Sequence, residues 1–191
     1  MRIITGQFKG RILPFNPRRH GDIRLTTSML KGALFAMLGT DLAEQEFLDL
    51  CAGCGQIGLE AYSRGARVAL NEPDPRRHAY LIQLLEEWGL DDVELHCAKG
   101  QLLIPHFQAQ ERRFDVIYLD PPYQASLRGR PLSLGLLEEV AAAGLLADEG
   151  WCCVQHQHEL AFPAQVGELA LLKQRRYGET MLSIYAAAPA A

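Results

Sequence analysis

Residues 114–123 read FDVIYLDPPY, and this stretch decides the fold. Asp115 to Leu119 is an almost unbroken apolar, β-prone run, the pattern of a strand buried on both faces inside a parallel sheet. It stops abruptly at Asp120. Pro121 and Pro122 then forbid further sheet pairing or a helix interior, and Tyr123 follows. Ligands of open α/β sheets bind just outside the carboxyl ends of the strands. The corner therefore sets a carboxylate and an aromatic ring, on stiff backbone, where chemistry is expected.

Outward from this strand the chain alternates strand, turn and helix. Upstream, strands are expected at Phe47 to Cys51, Arg67 to Asn71 and Val93 to Cys97. Helices are expected from about Gln56 to Arg64, from a cap at Asp74 with Pro75 in the first turn to a stop at Gly89, and onward to about Gln108. Leu81, Leu84, Leu85 and Trp88 define a buried helical stripe. Downstream come a helix over Leu132 to Ala143 and a strand over Trp151 to Gln155. Leu169 to Tyr177 and Glu179 to Tyr185, joined at Gly178, predict an antiparallel hairpin that closes the sheet. Strands alternating with helices imply right-handed crossovers, so the expectation is a three-layer, doubly wound α/β domain.

The N-terminal part differs. Met1 to Pro14 predicts a small β-hairpin that must pack on something, Asn16 to Leu25 a basic loop, and Thr26, Thr27 or Ser28 the cap of a helix ending at Gly39. Met29, Leu30, Ala33, Leu34, Met37 and Leu38 are its apolar positions. We place a boundary at residue 45: an extension over 1–45 and the α/β domain over 46–191.

The loop DLCAGCGQIG, residues 49–58, sets Gly53, Gly55 and Gly58 between a strand and a helix, where a ligand can approach backbone and free N–H donors closely. Alone it matches a dinucleotide fingerprint, and a dehydrogenase using NAD is one reading. Asp49 sets a negative charge against the loop, which repels a pyrophosphate and suits an amine or sulfonium. Glu72 ends the second strand, where a carboxylate can accept from both hydroxyls of a ribose. An adenosine ligand with a cationic appendage, such as S-adenosylmethionine, satisfies all three features.

The 191 residues carry a net charge of −4. Residues 1–35 hold Arg2, Lys9, Arg11, Arg18, Arg19, Arg24 and Lys31 against Asp22 alone, a net +6 that leaves −10 on the rest. A basic arm on an acidic body predicts a polyanionic partner. The N-terminus lacks a secretory apolar region and no apolar run nears the roughly 20 residues of a membrane span, so a cytoplasmic location without membrane contact is expected. The five cysteines are expected to be reduced thiols. Cys51 and Cys54 lie inside the ligand loop with no second pair at suitable spacing, so no metal is expected. His156 and His158 are assigned a surface or strand-end role.

With DLCAGCG, Glu72 and DPPY, the chain resembles the class I S-adenosylmethionine methyltransferases that act on exocyclic amines. RIITGQFKGRIL (2–13), TTSMLKGALFAMLG (26–39) and RRYGETMLSIY (175–185) are similar to the RsmD-type family, which methylates the N2 amine of a guanine in 16S ribosomal RNA. The resemblance covers essentially the whole chain. It implies a Rossmann-like methyltransferase sheet, S-adenosylmethionine as cofactor, and ribosomal RNA or an assembling small subunit as partner of a monomer. It also implies a cofactor site of Asp49, Cys51, Ala52, Gly53, Gly55, Glu72, Ala98 and Asp120, with catalysis by Asp120, Pro121, Pro122 and Tyr123. Asp120 and the Pro121 carbonyl would accept the hydrogens of the amine, and Tyr123 would stack on an extruded base. Arg2, Lys9, Arg11, Arg18, Arg19, Arg24, Thr26 and Thr27 are the expected RNA contacts. DPPY is shared with methyltransferases of DNA adenine and of protein amides, so those substrates are alternatives, as is an RNA-binding homologue with impaired catalysis. Where the family places an acidic or amide residue near the adenine, this chain has Ala98-Lys99.

Overall fold

The computed structural model describes residues 1–188. It divides into two compact units, Met1–Lys99 and the part from Gly100 onward.

The first unit contains helices α1 (Pro17–His20), α2 (Ser28–Leu38), α3 (Gly58–Ser63) and α4 (Pro75–Trp88), with strands β1 (Glu46–Asp49), β2 (Arg67–Asn71) and β3 (Glu94–His96). The strands pair in parallel in the order β3-β2-β1. α4 has the expected ends: the Asp74 side chain accepts from the N–H groups of Arg76 and Arg77, and Gly89 closes the helix in the left-handed conformation at φ 67°. Tyr80, Leu81, Leu84, Leu85 and Trp88 are its buried face.

The N-terminal hairpin forms as expected, in short form: Arg2 and Ile12 make an antiparallel bridge, and the N–H groups of Ile3, Gly10 and Leu13 donate to the carbonyls of Arg11 (2.9 Å), Ile3 (2.9 Å) and Met1 (3.1 Å), with Ile3 and Leu13 buried. Two other N-terminal expectations change. The basic loop carries α1, because Asn16 accepts from the Arg18 N–H and Pro17 is preset for a first turn. In α2, capped by Thr27, the buried positions are Leu30, Lys31, Leu34 and Phe35, whereas Met29 is 69% exposed. The stripe is rotated because Lys31 has a buried acidic partner, Glu60.

That partner organises the unit. Glu60, with no exposed surface, accepts from the N–H groups of Ile4 (2.7 Å) and Thr5 (3.0 Å), from the Arg64 guanidinium (2.9 Å), and pairs with Lys31 at 3.1 Å. Lys31 also donates to the Arg2 carbonyl, Arg64 to that of Gly39, and Ser63 holds Thr5 and Phe8. One helix turn of α3 thus anchors the N-terminal segment. Removing one member of such a set strands buried charges, at about 3–5 kcal/mol.

The second unit contains α5 (Gly100–Ala109), β4 (Phe114–Leu119), the two-residue strands β5 (Ser126–Leu127) and β6 (Arg130–Pro131), α6 (Leu132–Ala143), β7 (Leu146–Gln157), β8 (Gln165–Val166), β9 (Leu169–Tyr177) and β10 (Thr180–Ala187). β4 and β7 are parallel, and β7, β10, β9 and β8 follow as antiparallel neighbours. β4 is buried over Val116–Leu119, as its composition requires. β7 starts before the expected Trp151: the β4–β7 register shifts between Phe114 and Val116, where Gly150 lies so close to the Asp115 carbonyl that a Cβ would sit 3.0 Å from it. No helix among the described residues is long and apolar enough to cross a membrane.

Candidate active site

The loop after β1 is braced from both sides by carboxylates. Asp49, 1% exposed, accepts from the Gly58 N–H at 3.0 Å and ties the strand's end to the start of α3. Glu72, at the carboxyl end of β2, accepts from the Gly53 N–H at 2.8 Å on one oxygen. Its other oxygen takes the Asp74 N–H at 2.8 Å and the Arg77 guanidinium at 2.9 Å. Gly53 and Gly55 have φ of 58° and 78°, backbone that side-chain-bearing residues resist, and a Cβ on Gly58 would lie 2.2 Å from Leu70 Cδ2. Asp49, Ala52, Gly53, Gly55 and Glu72 are therefore brought together, with Cys51 half-exposed beside them. Cys54 is buried, and burial pushes its thiol up to about 12, so it packs as an apolar group.

Ala98 arrives from the end of β3. Asn71, fully buried, donates to the carbonyls of Leu50 and Ala98 at 3.0 Å each and accepts from the Ala98 N–H at 3.1 Å. Asn71 and Arg77 were not singled out from the sequence. Their signal was position, one residue before and five after the acidic end of β2.

The N-terminal segment lies across this loop. Ile23 Cδ1 would stand 3.3 Å from a Cβ on Gly53, the Thr26 carbonyl accepts from Gln56 at 3.2 Å, and His20 stacks on Tyr80 of α4 with centroids 4.5 Å apart. Of the expected RNA contacts, Arg2, Lys9, Arg18, Arg19 and Arg24 are exposed. Arg11 lies over the Trp88 ring at 4.3 Å, Thr26 is buried, and the Thr27 hydroxyl caps α2 at the Leu30 N–H. Lys31, counted in the basic arm, belongs to the buried Glu60 cluster.

In the second unit the proline corner leaves β4 with Asp120 half-buried, Pro121 buried, Pro122 exposed and Tyr123 half-buried. The Pro122 carbonyl accepts from the Ala125 N–H at 2.9 Å, closing a turn. The Tyr123 hydroxyl donates to the His156 carbonyl at 3.3 Å and shares a hydrogen bond with the Thr180 hydroxyl at 2.9 Å, so its ring is anchored to β7 and β10.

Of the surface or strand-end role expected for His156, the strand end holds and the surface does not: it is the penultimate residue of β7 and 1% exposed. Its Nδ1 faces the Gln157 carbonyl at 2.8 Å, which requires the proton there; Nε2 then accepts from Ser183 at 2.7 Å, and Gln174 donates to Ser183 at 2.9 Å. Burial holds the imidazole below its ordinary value, and Phe162 stacks on it at 3.7 Å.

The parallel strands, the antiparallel C-terminal hairpin and the glycine loop after β1 are those of the Rossmann-like methyltransferases. A structure of the candidate methyltransferase yhhF from Escherichia coli superposes with a TM-score of 0.82 at 28% identity, covering 100% of this chain and 99% of that one. The hypothetical protein TTHA0928 of Thermus thermophilus gives 0.81 at 29% identity, covering 98% and 99%. Ribosomal RNA small subunit methyltransferase D of Escherichia coli K12 is 30% identical over 187 residues, 97% of this chain and 89% of that one. Residues 1–186 match the family described as Conserved hypothetical protein 95, and the chain belongs to that family, which is the RsmD family.

Proposed function

We propose that this protein transfers a methyl group from S-adenosylmethionine to the exocyclic N2 amine of a guanine in 16S ribosomal RNA. The observation that carries the reading is the acid-proline-proline-aromatic corner at the end of a buried strand, in a chain of this family. The glycine loop fits the cofactor: Gly53 and Gly55 offer backbone without side chains, Glu72 presents a carboxylate beside them, and Asp49 contributes negative charge suited to a sulfonium. Cys51, Ala52, Ala98 and Asp120 complete the proposed cofactor set.

When bound, S-adenosylmethionine supplies an electrophilic methyl group. The chain's own residues then have to align and sharpen a poor nucleophile, since the lone pair of an aromatic amine is delocalised into its ring. Asp120 and the Pro121 carbonyl accept the amine's hydrogens, which orients the nitrogen and stabilises positive charge as it develops. Pro121 and Pro122 hold that geometry before substrate arrives. Tyr123, tethered through its hydroxyl, offers its ring to a base taken out of its stack.

Residues 1–45 act as an RNA-contacting extension of the methyltransferase domain over 46–191. Arg2, Lys9, Arg18, Arg19 and Arg24 take phosphates, Arg11 contributes from its stacked position, and Thr26 and Thr27 hold the segment in register. The substrate is 16S ribosomal RNA, free or within an assembling small subunit, in the cytoplasm, and the enzyme works as a monomer. Labelled S-adenosylmethionine offered with small subunits, deproteinised ribosomal RNA, DNA and protein tests this. Label at a guanine N2 of 16S RNA, located by mass spectrometry, is expected; label in DNA or protein alone overturns the reading.

A further inference from the structure

The C-terminal hairpin carries an exposed basic row that the mechanism above does not use. Lys173 and Arg175 are exposed on β9, and among the described residues neither side chain has a hydrogen-bond or ion-pair partner. Their neighbour Arg176 is committed: it donates to the Gly178 carbonyl at 2.7 Å and pairs with Glu179 at 3.6 Å. Glu179 also faces His158 at 3.4 Å, so the acidic charge at the hairpin tip is engaged there.

Register places the free pair on a particular face. Lys173 aligns with Ile184 and Cys153, and Arg175 aligns with Leu182 and Gln155. Tyr118 aligns with Cys153, and its hydroxyl donates to Gln155. Aligned residues share a face, so Lys173 and Arg175 stand on the face of Tyr118, two residues before Asp120. The next row is Gln157, Thr180 and Tyr177, and Thr180 holds the Tyr123 hydroxyl. From Gln155 to Arg175 is two strand spacings, about 10 Å. An RNA strand advancing about 3.4 Å or more per nucleotide covers that within a few residues of the base it presents.

Resting on the methyltransferase reading above, we infer that Lys173 and Arg175 bind the phosphodiester backbone of the RNA strand flanking the target guanine, as it crosses the β9–β10 hairpin. The chemistry is charge complementarity: two cations of different reach, without a partner among the described residues, stand exposed on β9 where the sheet passes from the buried Leu182 and Ile184 to solvent, one row from Thr180 and the tyrosine it holds. Basic residues also protect edge strands from pairing with other chains, and beyond Leu171 the outer edge of β9 carries no strand among the described residues. Charge reversal separates these roles, because glutamates guard an edge as well as lysines but repel phosphate.

The test uses the full-length protein, labelled S-adenosylmethionine and small subunits from cells lacking this methylation. Lys173→Glu/Arg175→Glu should raise KM for subunits about tenfold or more, leave kcat within about twofold, and flatten the slope of log Kd against log salt by about 1.4 for two lost single-strand contacts. Lys173→Gln/Arg175→Gln should give a smaller rise, and Lys173→Arg/Arg175→Lys should restore KM. Equal KM and salt slope in wild type and the charge-reversed protein, with an unchanged melting temperature, overturn the inference alone. Absence of transfer by the wild type overturns it together with the function it rests on.

Discussion

The loop after β1 and the corner after β4 both end a buried parallel strand, yet they solve opposite problems. In the loop the side chains are removed: Gly53 and Gly55 adopt positive φ, Gly58 packs where no Cβ fits, and two carboxylates hold the backbone by its N–H groups. In the corner the backbone is stiffened: two prolines remove donors and fix φ, and the tyrosine's far end is tied down. A ligand-binding loop needs close approach, which glycine permits. A group that must orient a weak nucleophile needs a single geometry, which proline enforces.

The contrast makes predictions in order of size. Asp120→Ala should lower kcat for methyl transfer by about 10²–10³-fold while leaving RNA affinity nearly unchanged, measured by single-turnover assay and filter binding. A comparable loss of RNA binding would move Asp120 from chemistry to docking. Gly55→Val should cost about 1–3 kcal/mol of stability in urea unfolding, because the new side chain meets a φ of 78° and Leu81 Cδ2 at 2.9 Å, and should weaken cofactor binding with it. Unchanged stability would remove the need for glycine there.

Pro122→Ala should reduce kcat only a few-fold and lower folding stability by about 0.4–1 kcal/mol, since the proline restricts the unfolded chain, with cofactor affinity unaltered in calorimetry. A fall as deep as that of Asp120→Ala would mean the ring itself touches substrate. The smallest effect concerns the support beneath Tyr123. With His156 held below its ordinary value of 6.5, the unfolded chain binds a proton there before the native one does. Its neutral network stabilises fully above about pH 6.5 and loses up to about 1.4 kcal/mol per pH unit below that. Melting temperature should therefore drop more between pH 7.5 and 5.5 in the wild type than in His156→Gln. Parallel drops would show that His156 does not titrate as described.

Several elements were readable from local chemistry. Arg67–Asn71, Leu132–Ala143 and Leu169–Tyr177 have the bounds expected of them, the run from Asp115 to Leu119 lies within β4, and α4 begins and ends at its cap, proline and glycine. Periodicity and capping act within a few residues, so no distant partner is needed. The readings that changed all depend on partners far along the chain. Lys31 looked like part of a solvated basic arm until Glu60, from another helix, took its charge and turned Met29 outward. His156 lies at a strand end as expected, but Ser183 and Phe162 close over it and take it off the surface.

By itself, then, the sequence determined the order of the longer strands and helices, though not α1 or the two-residue strands β5, β6 and β8, together with the glycine loop, the proline corner and the acidic end of β2, because each is written in residue types a few positions apart. Only the tertiary structure decided which polar groups became internal. Glu72 is shared among Gly53, Asp74 and Arg77, Asn71 clasps Ala98, and Lys173 and Arg175, on the face of Tyr118, have no partner among the described residues. The physical reason is that burial and pairing are set by neighbours in space, and a charge costs or contributes according to who those neighbours are.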